Sequence, residues 1–323
     1  MLVKLIYTKH IYMKIQGIVA ATFAAFHNDG SLNTDIIPTL VDKLIADGVS
    51  GVYICGTNGE GPNMTVEERM AIAEAYVKAA NKRVLVLVHV GHTSIRESRK
   101  LAAHAAQIGA DAISSVAAFY FKPVSVQNLV DCMAEIASAA PQLPFYYYHM
   151  PALTGVGMDM VEFLALGEKK IPNLAGIKYT ASTLHEYQAC LNFKDGKFEV
   201  LFGYDEMLLP ALVVGAIGAI GSTYTFAAPV YLDIIKNYRE GNVDEARQLQ
   251  AKVVDFIRCI IKHPSIAAQR AIMKMLGVDM GNPRLPLTSL SDAAYQQLQN
   301  DLNDVGFFRL LADHSQHKTV AAN

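Results

Sequence analysis

Tryptophan is absent from this 323-residue chain, and cysteine is scarce. The four cysteines, Cys55, Cys132, Cys190 and Cys259, stand far apart and form no C-x-x-C pair. That spacing argues against a disulfide framework and a cysteine zinc site, and it fits a reducing cytoplasm. Long apolar runs are missing too, since none reaches the ~18 uninterrupted residues of a membrane span. Residues 1–12 are apolar in character, but Lys4, Lys9 and His10 interrupt them and no small-residue cleavage site follows. They do not read as a signal peptide. The strand pattern starts near Met13, so 1–12 is expected to be a non-essential extension. A charge excess of either sign is also lacking. Lys and Arg number 28 against 30 Asp and Glu, for a formal net charge of −2. This leaves no electrostatic case for nucleic acid or an anionic membrane as partner. Neither nucleotide-binding glycine signature is present: the glycines at 56, 59 and 61 fall in the wrong order for G-x-G-x-x-G, and no G-K-[ST] follows.

Apolar residues, by contrast, make up 52% of the chain, enough to build one large domain or a domain with an appendage. Strand-like runs at 16–22, 51–55, 84–90, 112–116, 145–148, 175–178, 198–202 and 219–222 alternate with helical patterns. Such alternation predicts parallel strands joined by crossovers. Eight repeats over roughly 210 residues fit a (β/α)8 TIM barrel, whose usual length is ~250. An open doubly wound sheet is the alternative. Thr65-Val66-Glu67-Glu68 is a capping-box pattern opening a helix over 66–80, and the helix over 35–47 stops at Gly48. After Tyr224 the strand pattern ends, and 231–240, 243–261, 266–276 and 291–305 read as helices. The expected division is a barrel over 13–240, a small C-terminal helical region over 241–312, and a polar, disordered tail over 313–323.

In such a barrel the chemistry lies at the C-terminal strand ends. Lys178 ends the apolar run Leu174-Ala175-Gly176-Ile177. A strand-end lysine is commonly solvated. The competing reading is an imine-forming nucleophile whose pKa is lowered by burial. Gly176 allows close approach, and no acid follows immediately to hold the amine charged. Tyr146, Tyr147 and Tyr148 can be strand packing with polar tips, but with a period of two Tyr148 stands at the strand mouth, placed to carry a proton beside an imine. The 56–60 turn is either a tight connection or a carboxylate cradle of backbone N–H groups, the Thr57 hydroxyl and the Asn58 amide. Asp205 and Glu206 are adjacent. With Thr180 and Ser222 they suit a polyhydroxylated substrate better than a catalytic acid pair, and a solvated turn is the other reading. His89 and His92 are three apart on a strand-to-loop stretch, a poor metal pair, and Cys55 reads as a small buried hydrophobe.

Taken together, Gly56-Thr57-Asn58-Gly59-Glu60, Tyr148, Gly176-Ile177-Lys178 and Gly221-Ser222-Thr223 resemble the pyruvate-dependent class I aldolase family that includes N-acetylneuraminate lyase and dihydrodipicolinate synthase. The resemblance runs from about Met13 to Leu310. The loop after Tyr148 is similar to that of the lyases. The synthases carry an arginine shortly after the proline, where this chain has Ala152 and Leu153. The acidic pair after Gly203-Tyr204 is also lyase-like, and 281–287 matches the family's proline-rich turn.

The resemblance implies a carbon–carbon lyase, cleaving N-acetylneuraminate (sialic acid) through a Schiff base to N-acetylmannosamine and pyruvate. Lys178 and Tyr148 would be catalytic. Thr57, Asn58 and Gly59 would hold the carboxylate, and Thr180, Gly203, Asp205, Glu206, Gly221 and Ser222 the hydroxylated chain. No metal or organic cofactor is implied. A homotetramer, a dimer of dimers, is implied, with Tyr120 reaching a neighbouring subunit's site. Competing readings are an aldolase of the same family acting on a 2-keto-3-deoxy sugar acid, dihydrodipicolinate synthase, and a non-catalytic sugar-acid-binding barrel. Asn58 departs from the Ser-Thr or Thr-Thr of the lyases. Its amide can donate to a carboxylate but brings no hydroxyl for a proton relay with Tyr148, so the relay is expected to be altered.

Overall fold

The computed structural model describes residues 14–315. The expected extension over 1–12, the start at Met13 and the tail from 316 lie outside the described residues. Eight strands, β1 Gly17–Ala21, β2 Gly51–Ile54, β3 Leu85–His89, β4 Ala112–Val116, β5 Phe145–His149, β6 Leu174–Tyr179, β7 Glu199–Phe202 and β8 Gly218–Gly221, pair in sequence order. All pairs are parallel and β8 closes on β1, so the sheet is a barrel and not an open doubly wound sheet.

Helices α1 Ile37–Ala46, α2 Val66–Ala80, α3 Ile95–Gln107, α4 Val126–Ala137, α5 Pro151–Thr154, α6 Met160–Lys170, α7 Leu184–Asn192, α8 Leu208–Val213 and α9 Tyr224–Arg239 belong to the barrel connections. Side-chain caps set several starts: Thr65 and Glu68 close the expected capping box, and Ser94, Ser125 and Asp159 cap α3, α4 and α6. Helix α9 begins seven residues before the expected 231 because Pro229 is absorbed by a break at Ala227, where φ is −127°.

The strands' alternation sorts their side chains into two cores. Val19, Tyr53, Leu87, Tyr146, Tyr148, Leu201 and Ile220 fill the barrel interior. Ile18, Val52, Val86, Ile113, Tyr147, Ile177 and Val200 face the helices. Tyr146 and Tyr148 therefore share the inward face, as their spacing predicts.

Beyond the barrel lie α10 Val243–Ile260, α11 Ser265–Met275, α12 Asp292–Asp304 and α13 Phe307–Ser315. The expected tail gives up its first three residues to α13, whose buried Phe307, Leu310 and Leu311 carry it to Ser315. The i, i+3, i+4 spacing of those three residues was the available signal.

These helices are clasped to the barrel by a buried ion pair. Arg270 donates to Glu60 at 3.0 Å from Nε and 2.5 Å from Nη2, and also to the carbonyls of Ala24 and Met280. The two side chains are 3% and 0% exposed. Arg270→Met is expected to cost ~3–5 kcal/mol, because it strands a buried carboxylate, and the double variant with Glu60→Gln to recover much of that. Urea unfolding of the three chains measures both, and a single variant as stable as the parent would contradict it.

At the opposite end of the barrel Glu199 is buried. It accepts from the Ile15 N–H and the Tyr146 hydroxyl. Burial pushes its carboxyl up to about 7 from 4.5. The folded chain thus holds this proton more tightly than the unfolded chain. The contribution is fully present below the unfolded value and is lost as pH rises through about 7. Glu199→Gln is therefore expected to gain on the parent in melting temperature between about pH 5 and about pH 8, by roughly 1–3 kcal/mol of stability. A difference that does not change with pH would refute this.

Candidate active site

Strand pairing sets the centre of the site. In the β5–β6 register Tyr148 is the partner of Lys178, both on the inward face near the C-terminal mouth. The approach of β6 to β7 depends on Gly176, since a Cβ there would lie 1.7 Å from the Glu199 carbonyl oxygen. Lys178 is only 4% exposed. Its Nζ sits 3.9 Å from the centroid of the Tyr53 ring and 4.0 Å from that of Tyr148. Burial lowers its pKa from 10.5 to about 7, and the field of Asp205 opposes this without offsetting it. A substantial fraction of unprotonated amine at neutral pH is what an imine-forming lysine requires. The solvated strand-end reading of Lys178 is excluded by its burial.

Burial raises the pKa of the Tyr148 phenol, while the hydroxyls of Thr57 and Thr180 work in the other direction. A hydroxyl acting on the phenol is thus present at position 57, beside Asn58. Among the described residues Thr180 Oγ1 is buried and no partner meets it with full hydrogen-bond geometry, so it is available to a ligand. Below the phenol lies His89, which burial and the nearby Arg69 and Lys178 hold well below its usual pKa. It stays neutral at physiological pH.

The 56–60 turn has donors to offer, with one correction. The amide hydrogens of Asn58 do not await a carboxylate. They go to the Ala21 carbonyl at 3.2 Å and to Gln269 Oε1 at 3.1 Å. The backbone N–H groups of Thr57, Asn58 and Gly59 donate to no acceptor among the described residues. With the Thr57 hydroxyl they are the donors a carboxylate could use. Gly59 itself is buried in the turn and does not line the cavity.

Across the mouth, Asp205 Oδ2 accepts from the Thr223 N–H at 2.8 Å and the Thr223 hydroxyl at 2.7 Å, with Ser222 Oγ at 3.4 Å. Its Oδ1 is buried and has no hydrogen-bond partner among the described residues. Burial raises the carboxyl to about 6 despite these donors. Gly221 leaves room for it, since a Cβ there would fall 1.7 Å from Oδ1. These groups open on a cavity of about 480 Å³, within the ~300–1,000 Å³ usual for small-molecule sites.

Thr57, Asn58, Tyr148, Lys178, Thr180, Gly203, Asp205, Glu206, Gly221 and Ser222 all line the cavity. Tyr120 does not; it stands 77% exposed, beside Phe121 at 86% and Val124 at 89%. His89 and His92 do not converge on a shared site. His89 Nδ1 lies 3.1 Å from the Cys55 carbonyl oxygen, and His92 Nδ1 accepts from the Ser94 N–H at 2.9 Å. Among the described residues no three His, Cys, Asp or Glu side chains gather to hold a metal ion. No helix among them is long and apolar enough to cross a membrane.

Sequence reasoning missed Tyr53, whose ring faces the lysine, and the outer wall supplied by Ile257, Ile260, Ile261, Ile266 and Gln269 of the C-terminal helices. Tyr53 could have been found from its place near the end of β2. The wall had no local signal.

Residues 14–305 match the dihydrodipicolinate synthetase family. The chain belongs to this family. Within the dihydrodipicolinate synthetase family, an N-acetylneuraminate lyase of Sus scrofa is 40% identical over 283 residues, covering 86% of this chain and 89% of the relative. One of Mus musculus is 38% identical over 299 residues, covering 91% and 93%. The solved N-acetylneuraminate lyase (sialic acid aldolase) of Aliivibrio salmonicida superposes with a TM-score of 0.89 at 41% identity, covering 91% of this chain and 98% of that one. The expected family and barrel therefore hold.

Proposed function

We infer that this chain is a class I aldolase that cleaves N-acetylneuraminate to N-acetylmannosamine and pyruvate. The observation that carries the reading is Lys178: a buried amine with its pKa brought to about 7, paired with Tyr148 of the adjacent strand and open to a sugar-sized cavity. The lyase relatives support the substrate. So does the loop after Tyr148, where Leu153 lines the cavity in place of a carboxylate-binding arginine.

Lys178 Nζ attacks the C2 ketone of the open-chain sugar acid, and loss of water gives a protonated imine. Tyr148 accepts the C4 hydroxyl proton while releasing its own toward the substrate carboxylate. The C3–C4 bonding pair flows into the imine, and the aldehyde leaves as N-acetylmannosamine. The remaining enamine takes a proton at C3, and water hydrolyses the imine to pyruvate and free Lys178. Thr57 and the backbone N–H groups of the turn hold the carboxylate. Asp205, Glu206, Thr180 and Ser222 face the hydroxylated chain, and the buried oxygens Asp205 Oδ1 and Thr180 Oγ1 are suited to that task.

Pyruvate release from N-acetylneuraminate, read through a lactate dehydrogenase couple, tests the assignment. A 2-keto-3-deoxy sugar acid serves as the competing substrate, and faster release from it would reassign the enzyme within its family.

The reading extends to assembly and location. The exposed Phe119, Tyr120, Phe121 and Val124 form an apolar patch after β4 that suits a second copy of the chain, with Tyr120 reaching that copy's site in a homotetramer. Tyr120→Asp is expected to shift sedimentation to a smaller species. An unchanged sedimentation coefficient would remove the patch from the interface. The four free cysteines suit a reducing cytoplasm.

A further inference from the structure

Helix α11 grips the carboxylate turn at two successive positions. Arg270 holds Glu60, and next to it Gln269 accepts the Asn58 amide at 3.1 Å. Gln269 is in turn fixed by donating from Nε2 to Ser265 Oγ at 3.0 Å. Asn58 and Gln269 are 7% and 4% exposed, so the bond between them is shielded from water. Its partner bond, from Asn58 to the Ala21 carbonyl, anchors the same side chain to the end of β1.

The amide hydrogens of residue 58 are therefore taken by the protein and tie the turn to β1 and to the C-terminal helices. Thr57, its neighbour, lines the same cavity as Tyr148. The three unengaged N–H groups of the turn belong to residues 57, 58 and 59, the segment this brace holds. A hydrogen-bond cradle binds well only when its donors are held in place beforehand.

We propose that Gln269 is a positioning residue for carboxylate capture. Acting through Asn58, it fixes the turn that receives the substrate carboxylate. The inference rests on the imine reading of Lys178, because pyruvate is the probe.

Borohydride trapping against pyruvate concentration, followed by intact mass, gives the half-saturating pyruvate. Condensation at saturating pyruvate gives KM for N-acetylmannosamine, which carries no carboxylate. Gln269→Leu is expected to raise half-saturating pyruvate about five- to tenfold, the worth of one shielded hydrogen bond. KM for N-acetylmannosamine should move less than about twofold, and kcat should fall by less than half-saturation rises. Asn58→Ser, too short to reach Gln269, should give the same selective rise and carries the test alone if Gln269→Leu does not fold. Adding Gln269→Leu to it should then change little, because both remove one interaction. Equal rises for both substrates, additive effects of the two substitutions, or unchanged half-saturation would overturn the proposal. The trapped adduct itself persists in every variant, so a failed brace is distinguishable from failed imine chemistry, which would leave the parent without an adduct.

Discussion

Lys178→Arg is expected to lower pyruvate release by about 10⁴-fold or more, the scale on which losing a covalent nucleophile acts. A guanidinium stays protonated at any pH the fold survives and cannot form the imine. Pyruvate with borohydride should add mass to the parent and none to the variant. The wild-type pH profile belongs to the same prediction. With the amine at about 7, imine formation should rise through neutrality and level off above it. Asp205, at about 6, ionises just below that limb, and its charge favours the protonated amine. A profile rising only near the ordinary lysine value would mean that burial does not set this pKa. Full turnover by the arginine variant would remove the imine mechanism altogether.

Tyr148→Phe should lower kcat by about 10²–10⁴-fold, the usual contribution of a positioned proton carrier. The substitution is informative because it changes little else. The phenylalanine ring keeps the face that lies 4.0 Å from Lys178 Nζ and keeps its packing against Tyr53, whose centroid is 5.8 Å away. Trapping of pyruvate by borohydride should therefore persist while cleavage of the sugar acid fails. Loss of trapping together with turnover would assign Tyr148 to imine formation instead of C3–C4 cleavage. Thr57→Val should mimic part of this effect if its hydroxyl serves the phenol.

Much of the barrel was written locally. Strands such as Val52–Ile54 and Val86–Val88 announce themselves as short β-branched runs, and the Thr65–Glu68 capping box fixes a helix start within its own four residues. The strand-end cluster was legible for the same reason. Once the strands are placed, a barrel puts each of their C-terminal ends around one mouth, and Lys178, Tyr148, Asp205 and Ser222 all come from those ends.

The partners of those groups were not legible. Sequence alone suggested that Asn58 would face a carboxylate and that its lost hydroxyl would weaken the relay. The fold ties Asn58 to Gln269, 211 residues away along the chain, and leaves Thr57 as the neighbouring hydroxyl that acts on the phenol. The tie of Glu60 to Arg270 spans 210 residues. The sequence by itself determined which side chains stand at the strand mouths, because a strand's period and end are properties of its own few residues. Only the tertiary structure decided how those side chains are charged and held, because burial and hydrogen-bond partners come from segments that meet only when the C-terminal helices close over the barrel.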